Sequence, residues 1–370
     1  MDPRYALNNT DSMLSPSLVI FKDLVTANLR AMIDVAGGAN RLRPHVKTHK
    51  MPAMIRLAES LGIRKHKCAT IAEAEMVAAA GGTDIMIAYP IVGPNIARFA
   101  RLVRGYPKAT FRTVVDDADA ASALSAGLPA NETISTLIDL DIGMGRTGID
   151  PGDAAFQLYE HLATLPNLRP DGLQAYDGQI AVTDLSERIE AARPGQEATL
   201  ALRQRLIDAG HDVSIVVFGG TPTFPVHARL DIPGLELSPG TCSLHDYGYA
   251  TRYPDLPFVP SALLLTRVIS RPRPGRITLD LGYKAVASDP PVASRVVFPD
   301  LPDATVAFQS EEHLVLDTPH AEDYPPGTTF LAMPSHICPT CALHRQAYVI
   351  ENGEVVERWD IVARDRMLNL

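Results

Sequence analysis

The sequence predicts an α/β protein that consists of a (β/α)8 TIM-type barrel and a C-terminal all-β domain. Strand-like and helix-like segments alternate from about Leu42 to Ser238, which implies a parallel sheet. Eight such strands are present, which fits a closed barrel. Beyond about Pro257, short strand-like runs follow one another without helices. A doubly wound open sheet is the alternative, but it usually needs fewer strands, and no Gly-x-Gly-x-x-Gly follows an early strand.

The predicted elements begin with a strand and a long helix. Ser17–Phe21 has the composition of a strand, and a helical pattern runs from about Lys22 to Ala36, closed by Gly37 and Gly38. This first strand either pairs with the β-domain or caps the barrel. The predicted domain boundaries are 22–256 for the barrel, and 1–21 with 257–370 for the β-domain.

The predicted barrel strands are short apolar runs with periodic helical patterns between them. The strands are Leu42–Lys47, His66–Ala69, Asp84–Tyr89, Phe111–Asp116, Ile134–Asp141, Leu173–Tyr176, Val213–Phe218 and Leu235–Ser238. The helices are Ala53–Leu61, Ala72–Ala80, Asn95–Arg104, Ala118–Ala126, Asp153–Leu165 and Leu185–Ala209.

The predicted β-domain has seven strands. They are Ala262–Ser270, Arg276–Leu281, Ala304–Gln309, Leu314–Asp317, Phe330–Met333, Ala347–Glu351 and Val355–Val362. Asn352 and Gly353 indicate a hairpin between the last two, because this pair suits a tight turn with positive φ.

Composition restricts the functional classes. Hydrophobic residues make up 46% and charged residues 21% of the 370, which is ordinary for a soluble globular protein. A net charge of −9 argues against nucleic acid as the main partner. No apolar run approaches a membrane span and the N-terminus lacks a signal-peptide layout, so we expect a cytoplasmic protein without a membrane partner. Its four cysteines are then expected to be thiols or metal ligands.

The segment Arg43–Lys50 concentrates basic side chains. A proline and two β-branched residues favour an extended backbone, in which alternate side chains share a face. That face carries Arg43, His45, Lys47 and His49. One interpretation is a solvated basic edge strand. The other is a site where His45 and Lys47 bind an anionic cofactor, with Lys47 as the covalent link, because a partly desolvated lysine is a good amine nucleophile.

The residues at the carboxyl ends of the predicted strands, where barrel enzymes carry their chemistry, form a consistent set. Lys47 closes the first strand, Arg146 lies in the glycine-rich loop after the fifth, and Tyr176 closes the sixth. The loops after strands seven and eight contain Gly219, Gly220, Thr221, Gly240 and Thr241. Barrels commonly hold a phosphate at these two loops through backbone N–H groups. A lysine, a phosphate site and a barrel together indicate pyridoxal phosphate.

These motifs resemble the alanine-racemase-type fold of pyridoxal-phosphate enzymes and, within it, the D-threonine aldolase and D-serine dehydratase family. The resemblance covers nearly the whole chain. It implies that Lys47 is the Schiff-base lysine, that Arg146 lies near the cofactor ring and substrate, and that Tyr176 lies near the pyridine nitrogen. It also implies that the glycines and threonines after strands seven and eight surround the phosphate, and that the protein is a homodimer.

A metal motif, Ser335-His336-Ile337-Cys338-Pro339-Thr340-Cys341, follows in the β-domain. On an extended segment residues two apart share a face, so His336 and Cys338 can bind one ion. Imidazole with thiolate favours zinc, with Mn²⁺ or Mg²⁺ as alternatives. Cys338 and Cys341 have the spacing of a redox pair, but such pairs normally open a helix, and this segment has the pattern of a strand.

The metal site is expected to keep an open position for substrate. A closed structural zinc site needs two more ligands, and His344 is available but no fourth ligand is evident. Glu311 and His313 either lie near this site or belong to a surface turn.

Two features depart from the aldolase pattern. Related aldolases carry a histidine a few residues after the tyrosine of strand six, whereas this chain has Gln179, which can hydrogen-bond but cannot take a proton. Aldolases also tend to have a His-x-Asp metal pair and dehydratases a His-x-Cys pair, and this chain has the latter. His245, just past strand eight, either compensates for the missing histidine or is an ordinary polar loop residue.

We therefore expect a lyase that uses pyridoxal phosphate and a divalent metal on D-3-hydroxy amino acids. Deprotonation of the β-hydroxyl breaks Cα–Cβ and yields glycine and an aldehyde, and this retro-aldol cleavage of D-threonine-like substrates is the leading hypothesis. The alternative is a dehydratase that converts D-serine, D-threonine or D-3-hydroxyaspartate to a 2-keto acid and ammonia, with Lys47 removing the α-proton. A cofactor carrier is a further alternative, although carriers typically lack a β-domain and a metal pair. A racemase needs a second base opposite Lys47, and none is evident.

Overall fold

The computed structural model describes residues 2–370, which divide into two compact units. The barrel unit consists of Met32–Lys47, Met54–Gly240 and Asp365–Leu370. The β unit consists of the N-terminal residues to Ala31, Thr48–Ala53 and Thr241–Arg364. The predicted domain boundaries stay a prediction. No helix among residues 2–370 is long and apolar enough to cross a membrane.

The first long elements are strand β1, Ser17–Phe21, and helix α1, Lys22–Ala36, with the predicted bounds. Gly37 and Gly38 follow with φ of +75° and +142°, which L side chains rarely adopt. Glycine is therefore needed where the helix ends.

The sheet of the barrel unit has seven parallel strands in chain order, each hydrogen-bonded to the next. The strands are β2 Lys65–Cys68, β3 Asp84–Ile87, β4 Thr110–Val115, β5 Ile134–Asp141, β6 Leu168–Tyr176, β7 Ile215–Gly219 and β8 Leu235–Leu237. The accompanying helices are α2 Pro52–Ser60, α3 Ile71–Ala79, α4 Pro94–Gly105, α5 Ala118–Gly127, α6 Asp153–Thr164, α7 Leu185–Asp208 and α8 Phe224–His227. Four wholly buried apolar side chains from different strands form a core cluster: Met86, Val114, Leu137 and Val217.

Residues 42–45 occupy the place of an eighth strand. The N–H of Arg43 donates to the carbonyl of Leu237 at 2.8 Å, and the N–H of Lys67 donates to the carbonyl of Pro44 at 2.9 Å. The segment therefore hydrogen-bonds β8 on one side and β2 on the other, which closes the sheet. The predicted barrel class is confirmed, with its first strand shortened.

The predicted alternation of basic side chains is wrong beyond His45, because Val46–Thr48 forms a 3-10 turn. Arg43 does not contribute to an open basic face, since its side chain is fully buried. It binds the carboxylates of Glu236 at 2.5 Å and Asp84 at 2.7 Å, on β8 and β3. Arg43 therefore connects the closing segment to β3 and β8, and removal of one partner of this buried ion pair should lower the free energy of unfolding by about 3–5 kcal/mol.

The β unit has a sheet in the order β12-β13-β10-β9-β1-β15-β16, and β14 pairs with both β9 and β11. Its strands after β1 are β9 Ala262–Arg273, β10 Arg276–Leu279, β11 Val296–Val297, β12 Thr305–Gln309, β13 Leu314–Asp317, β14 Thr329–Pro334, β15 Gln346–Glu351 and β16 Glu354–Asp360. Strand β1 lies between β9 and β15, so it pairs with this domain. Asn352 and Gly353, with φ of +51° and +79°, form the predicted hairpin turn.

The β unit also contains two helices that were not predicted, α9 Tyr247–Arg252 and α10 Ile337–Leu343. The predicted extended conformation of the metal motif is therefore wrong after His336. The carboxylate of Asp246 accepts from the N–H of Ile337 at 3.0 Å, which satisfies a donor at the start of α10. Pro339 lies in the first turn, where a missing N–H costs nothing.

Candidate active site and metal pair

Lys47 lies in the turn that follows the closing segment of the barrel. Its N–H donates to Nδ1 of His45 at 3.3 Å. Its Nζ is 5.9 Å from the centre of the Tyr176 ring, at the end of β6. The guanidinium carbon of Arg146 is 4.9 Å from the centre of the same ring. The structure thus brings Lys47, Arg146 and Tyr176 together around one aromatic ring, as predicted from the strand ends.

The loop that carries Arg146 is fastened by carboxylates. Asp141 accepts the N–H groups of Gly143 and Gly145 at 2.9 and 3.0 Å, and these backbone hydrogen bonds lower the pKa of Asp141. Thr147 donates its hydroxyl to Asp139 at 3.0 Å. Arg146 is therefore presented by a loop of defined conformation, although its own side chain is exposed.

Gln179 belongs to this loop system. Its amide donates to the carbonyl of Ile142 at 2.9 Å. The structure therefore uses Gln179 to hold the loop after β5, and the side chain itself is exposed.

The loop after β7 begins at Gly219, which pairs in register with Tyr176. A Cβ added to Gly219 would lie 3.4 Å from both the Tyr176 ring and Nζ of Lys67. Gly220 has φ +142°, and a Cβ there would lie 2.4 Å from an Asp177 oxygen. Gly220 therefore requires glycine, whereas a Cβ at Gly219 would make ordinary van der Waals contacts. Thr221 is buried beside them.

Of the residues predicted in the last loop, Gly240 ends the barrel unit and Thr241 begins the β unit. The Thr241 hydroxyl lies 3.7 Å from Sγ of Cys338, within the β unit.

A buried lysine, Lys67, was not predicted as a site residue. Its Nζ donates to Gln174 at 3.0 Å. Burial lowers the pKa of Lys67, and the charge of Asp139 opposes that shift. Burial in turn raises the pKa of Asp139. The sequence did contain a signal for Lys67. Lys65 and Lys67 are two residues apart in the short strand β2, so their side chains lie on the same face of the sheet.

The metal pair His336 and Cys338 is brought together in the β unit. The two side chains hydrogen-bond, and Nδ1–H of His336 donates to Asp289 at 2.5 Å. The hydrogen bond to Cys338 raises the pKa of His336 to about 9. The hydrogen bond to Asp289 also raises this pKa, by a smaller amount, whereas burial lowers it. Cys338 also contacts the Thr48 hydroxyl at 3.2 Å. Asp289 was not predicted, since 47 residues of chain separate it from His336.

The other predicted candidates lie elsewhere in the β unit. His344 donates to the carbonyl of Ala285 at 2.7 Å, and burial lowers its pKa. Glu311 pairs with Lys284 at 2.5 Å in an exposed turn, which also carries His313. Cys341 is fully buried, and burial raises the pKa of its thiol. All four cysteines are free thiols.

His245 is not the polar loop residue that was considered, because its side chain is fully buried. Its ring lies 6.2 Å from that of Tyr249 and 5.8 Å from that of Phe258. Among residues 2–370 neither ring nitrogen has a hydrogen-bond partner, and burial lowers its pKa to about 4.

Comparison with known proteins identifies the family. Residues 20–242 match the family model described as the N-terminal domain of alanine racemase, and residues 261–350 match a putative serine dehydratase domain. The chain is 32% identical to D-threonine aldolase of an Arthrobacter species over 359 residues, which covers 95% of this chain and 92% of the relative. The chain belongs to the D-threonine aldolase and D-serine dehydratase family. This confirms the resemblance predicted from the sequence and the predicted lyase class.

Two further proteins are similar to this chain over nearly its whole length. The chain is 29% identical to 3-hydroxy-D-aspartate aldolase of Paracoccus denitrificans (strain Pd 1222), covering 95% of this chain and 92% of the relative. The crystal structure of D-threonine aldolase from Filomicrobium marinum has a TM-score of 0.87 at 32% identity, covering 95% of this chain and 96% of that one.

Membership of an alanine-racemase-type family implies pyridoxal phosphate, and the barrel unit fits this group. An amine and a guanidinium converge on the Tyr176 ring, which suits an aldehyde and an anionic substrate. Gly219 is in register with Tyr176, and Gly220 leaves no room for a Cβ, so the backbone after β7 is closely packed beside the site.

The β unit offers two adjacent donors for a metal, the imidazole of His336 and the thiol of Cys338. Among residues 2–370 no group of three or more His, Cys, Asp or Glu side chains is placed so that it could hold a metal ion. A two-residue pair of imidazole and thiolate fits an ion that keeps open positions, because a closed structural zinc site has four protein ligands.

Proposed function

We propose that this chain is a pyridoxal-phosphate-dependent lyase that acts on D-3-hydroxy amino acids and cleaves D-threonine-like substrates to glycine and an aldehyde. The observation that carries the proposal is the convergence of Lys47 and Arg146 on the Tyr176 ring. It occurs in a chain that is 32% identical to a D-threonine aldolase over 95% of its length. The aldolases among its relatives argue against a cofactor carrier.

The residues of the barrel unit have separate roles. Pyridoxal phosphate, when bound, supplies an electron sink for Cα of an amino acid. Lys47 links the cofactor covalently, and its amine holds or moves the proton at Cα. Arg146 binds the carboxylate of the substrate, because a guanidinium forks onto a carboxylate. Gln179 keeps the Arg146 loop in place, so its contribution is positional.

The residues of the β unit hold a divalent metal. Zinc is favoured over Mn²⁺ or Mg²⁺, because thiolate and imidazole are softer than the oxygen ligands those ions prefer. Such an ion would supply a Lewis acid for the β-hydroxyl oxygen. Asp289, by accepting from Nδ1–H, fixes the His336 ring so that Nε2 is left for the metal. The family resemblance further supports a homodimer.

A second candidate is a dehydratase that releases a 2-keto acid and ammonia. Two observations favour it: the His-x-Cys pair, and the match of residues 261–350 to a putative serine dehydratase domain. The stretch after Tyr176 also contains no histidine to take the hydroxyl proton. In this reaction Lys47 removes the α-proton and the hydroxyl leaves.

One incubation separates the two reactions. The protein with pyridoxal phosphate and zinc is given D-threonine, D-serine or their L-isomers, and glycine is assayed against 2-keto acid. Glycine from D-threonine alone supports the aldolase, and keto acid from D-serine or D-threonine supports the dehydratase. Equal turnover of L-threonine and D-threonine would contradict both, since one face of the cofactor carries Lys47.

A further inference from the structure

A buried chain of polar side chains lies between the end of β6 and the loop after β7. Asp177 follows Tyr176 directly, and one carboxylate oxygen binds Nε2 of His227 at 2.7 Å. The other oxygen accepts the hydroxyl of Thr223 at 2.7 Å. The amide of Gln196 binds Nδ1 of His227 at 2.9 Å. We call Asp177, Thr223, His227 and Gln196 the Asp177 network.

Three of the four members of the network, Asp177, Thr223 and His227, are buried. The side chains of Asp177 and His227 are each only 1% exposed. The ring of Phe218 stacks on His227 at 4.5 Å between centres, with 13° between planes. Because a carboxylate only accepts, Nε2–H of His227 donates to it, and Nδ1 accepts from the Gln196 amide. Each hydrogen bond of the ring therefore has one direction, which restricts the ring to one orientation.

The network contacts the backbone of the loop Gly219–Thr221. The N–H of Asp177 donates to the carbonyl of Gly219 at 3.2 Å. A Cβ on Gly220 would lie 2.4 Å from Oδ1 of Asp177 and 2.5 Å from Oγ1 of Thr223. The Asp177 carboxylate therefore packs against the Gly220 backbone itself, and it is held there from the far side by Thr223 and His227.

Stability alone does not account for this arrangement. A buried carboxylate and imidazole carry a desolvation cost, and apolar residues of similar volume often stabilise a protein as well or better. Directional hydrogen bonds, however, restrict the groups that they connect to a single conformation. Here those groups are the end of β6, which carries Tyr176, and the loop after β7, where barrels commonly bind phosphate.

We propose that Asp177 and His227 are positioning residues for the phosphate of the cofactor. They hold the Gly219–Thr221 backbone in the conformation that receives the phosphate. This inference rests on the proposed function, since it assumes pyridoxal phosphate as the ligand of the barrel unit.

The test compares two ligands that differ only in the phosphate. Apoprotein of the full chain is titrated with pyridoxal phosphate and with pyridoxal, and the ratio of the two dissociation constants measures the contribution of the phosphate. We expect Asp177→Asn and His227→Phe to weaken pyridoxal phosphate about tenfold, because a buried polar group loses its partner. Pyridoxal binding should change by less than about twofold, within the scatter of ordinary surface substitutions.

A matched control is available in the same unit. His66, on β2, binds Glu59, on α2, at 3.0 Å. The His66 side chain is 1% exposed, so it is an equally buried histidine that pairs with a carboxylate, which is itself 15% exposed. His66→Phe should lower the thermal midpoint but leave the ratio unchanged. If Asp177→Asn and His227→Phe do not fold, Thr223→Val replaces them in the test, because it removes one hydrogen bond at nearly constant volume. Its ratio of dissociation constants should shift in the same direction by a smaller amount.

The outcomes are distinguishable. An unchanged ratio in folded variants of the Asp177 network, or an equal shift in His66→Phe, overturns the inference and leaves the proposed function intact. A wild-type apoprotein that does not bind pyridoxal phosphate overturns the proposed function, and the inference with it.

Discussion

The candidate site of the barrel unit and the metal pair of the β unit are held by different means. In the barrel unit, Tyr176 and Gly219 lie at strand ends and are neighbours through the hydrogen-bond register of the sheet, and Lys47 lies in the turn after the closing segment. In the β unit, His336 and Cys338 lie at the start of a short helix, and side chains such as Asp289 hold them. A site built on sheet register tolerates errors in local prediction, whereas a site built on side-chain contacts does not reveal its partners in the sequence.

The largest effect should come from the residue on which the barrel site depends. Lys47→Ala removes the only group proposed to bond the cofactor covalently, so turnover should fall more than about 10³-fold. Borohydride treatment followed by peptide mass analysis should find no fixed cofactor in the variant. Lys284→Ala, which removes an exposed lysine paired with Glu311, serves as the control. It should retain both the turnover and the fixation of the cofactor by borohydride. Cofactor fixed to another lysine in Lys47→Ala would refute the assignment.

The second-largest effect should come from loss of the metal in the β unit. Chelation, or Cys338→Ala, should reduce lyase activity by about 10²-fold or more, while the absorbance of bound pyridoxal phosphate stays unchanged. The reason is that the metal and the cofactor use different side chains. Readdition of zinc should restore the chelated wild type but not the variant. Activity that survives complete metal removal would show that the metal has no catalytic role.

Much of the fold could be predicted because its signals are local. Alternating runs and glycines defined the strand ends, and the Lys22–Ala36 helix and the β13 strand have the predicted bounds. The start of α10 could not be predicted. The run Ser335–Cys338 alternates like a strand, and the carboxylate that satisfies the first helical N–H comes from Asp246, 91 residues away.

The same limit applies to the site. The predicted strand ends indicated that Lys47, Arg146 and Tyr176 lie close together, and in the structure Nζ of Lys47 and the guanidinium carbon of Arg146 lie 5.9 and 4.9 Å from the centre of the Tyr176 ring. The partner of Asp177 could not be inferred, since His227 lies 50 residues further along the chain and no local pattern connects them. His245 was misread for a related reason: its burial depends on the aromatic rings of Tyr249 and Phe258, and not on its own polar neighbours.

A third prediction concerns pH and that buried histidine. The pKa of His245 is about 4 in the folded protein and 6.5 ordinarily, so between these values the unfolded chain binds a proton that the folded chain does not. The free energy of unfolding should therefore be unaffected by His245 above pH 6.5 and should fall by about 3 kcal/mol as the pH drops toward 4. Urea unfolding of the wild type and His245→Phe across this range measures the slope, which should be shallower in the variant.

His320 provides the control for this experiment, because its side chain is 54% exposed. His320→Phe should keep the wild-type slope. Equal slopes for the wild type and His245→Phe would mean that the pKa of His245 is the same in the folded and unfolded chains.

The smallest effect should come from the carboxylate that supports the metal pair. Asp289→Ala removes the acceptor for Nδ1–H of His336, and loss of such a partner typically weakens metal binding about 10–100-fold. We expect the low end, because the Asp289 side chain is 54% exposed and water can replace it. Asp323→Ala is the matched control: it removes an exposed carboxylate 3.5 Å from His320 in the same unit and should not change zinc affinity. Cys341→Ala should also leave affinity unchanged, because burial keeps that thiol protonated. Zinc lost as fully from Cys341→Ala as from Cys338→Ala would instead indicate a closed structural site, and the contrast between the two units would then disappear.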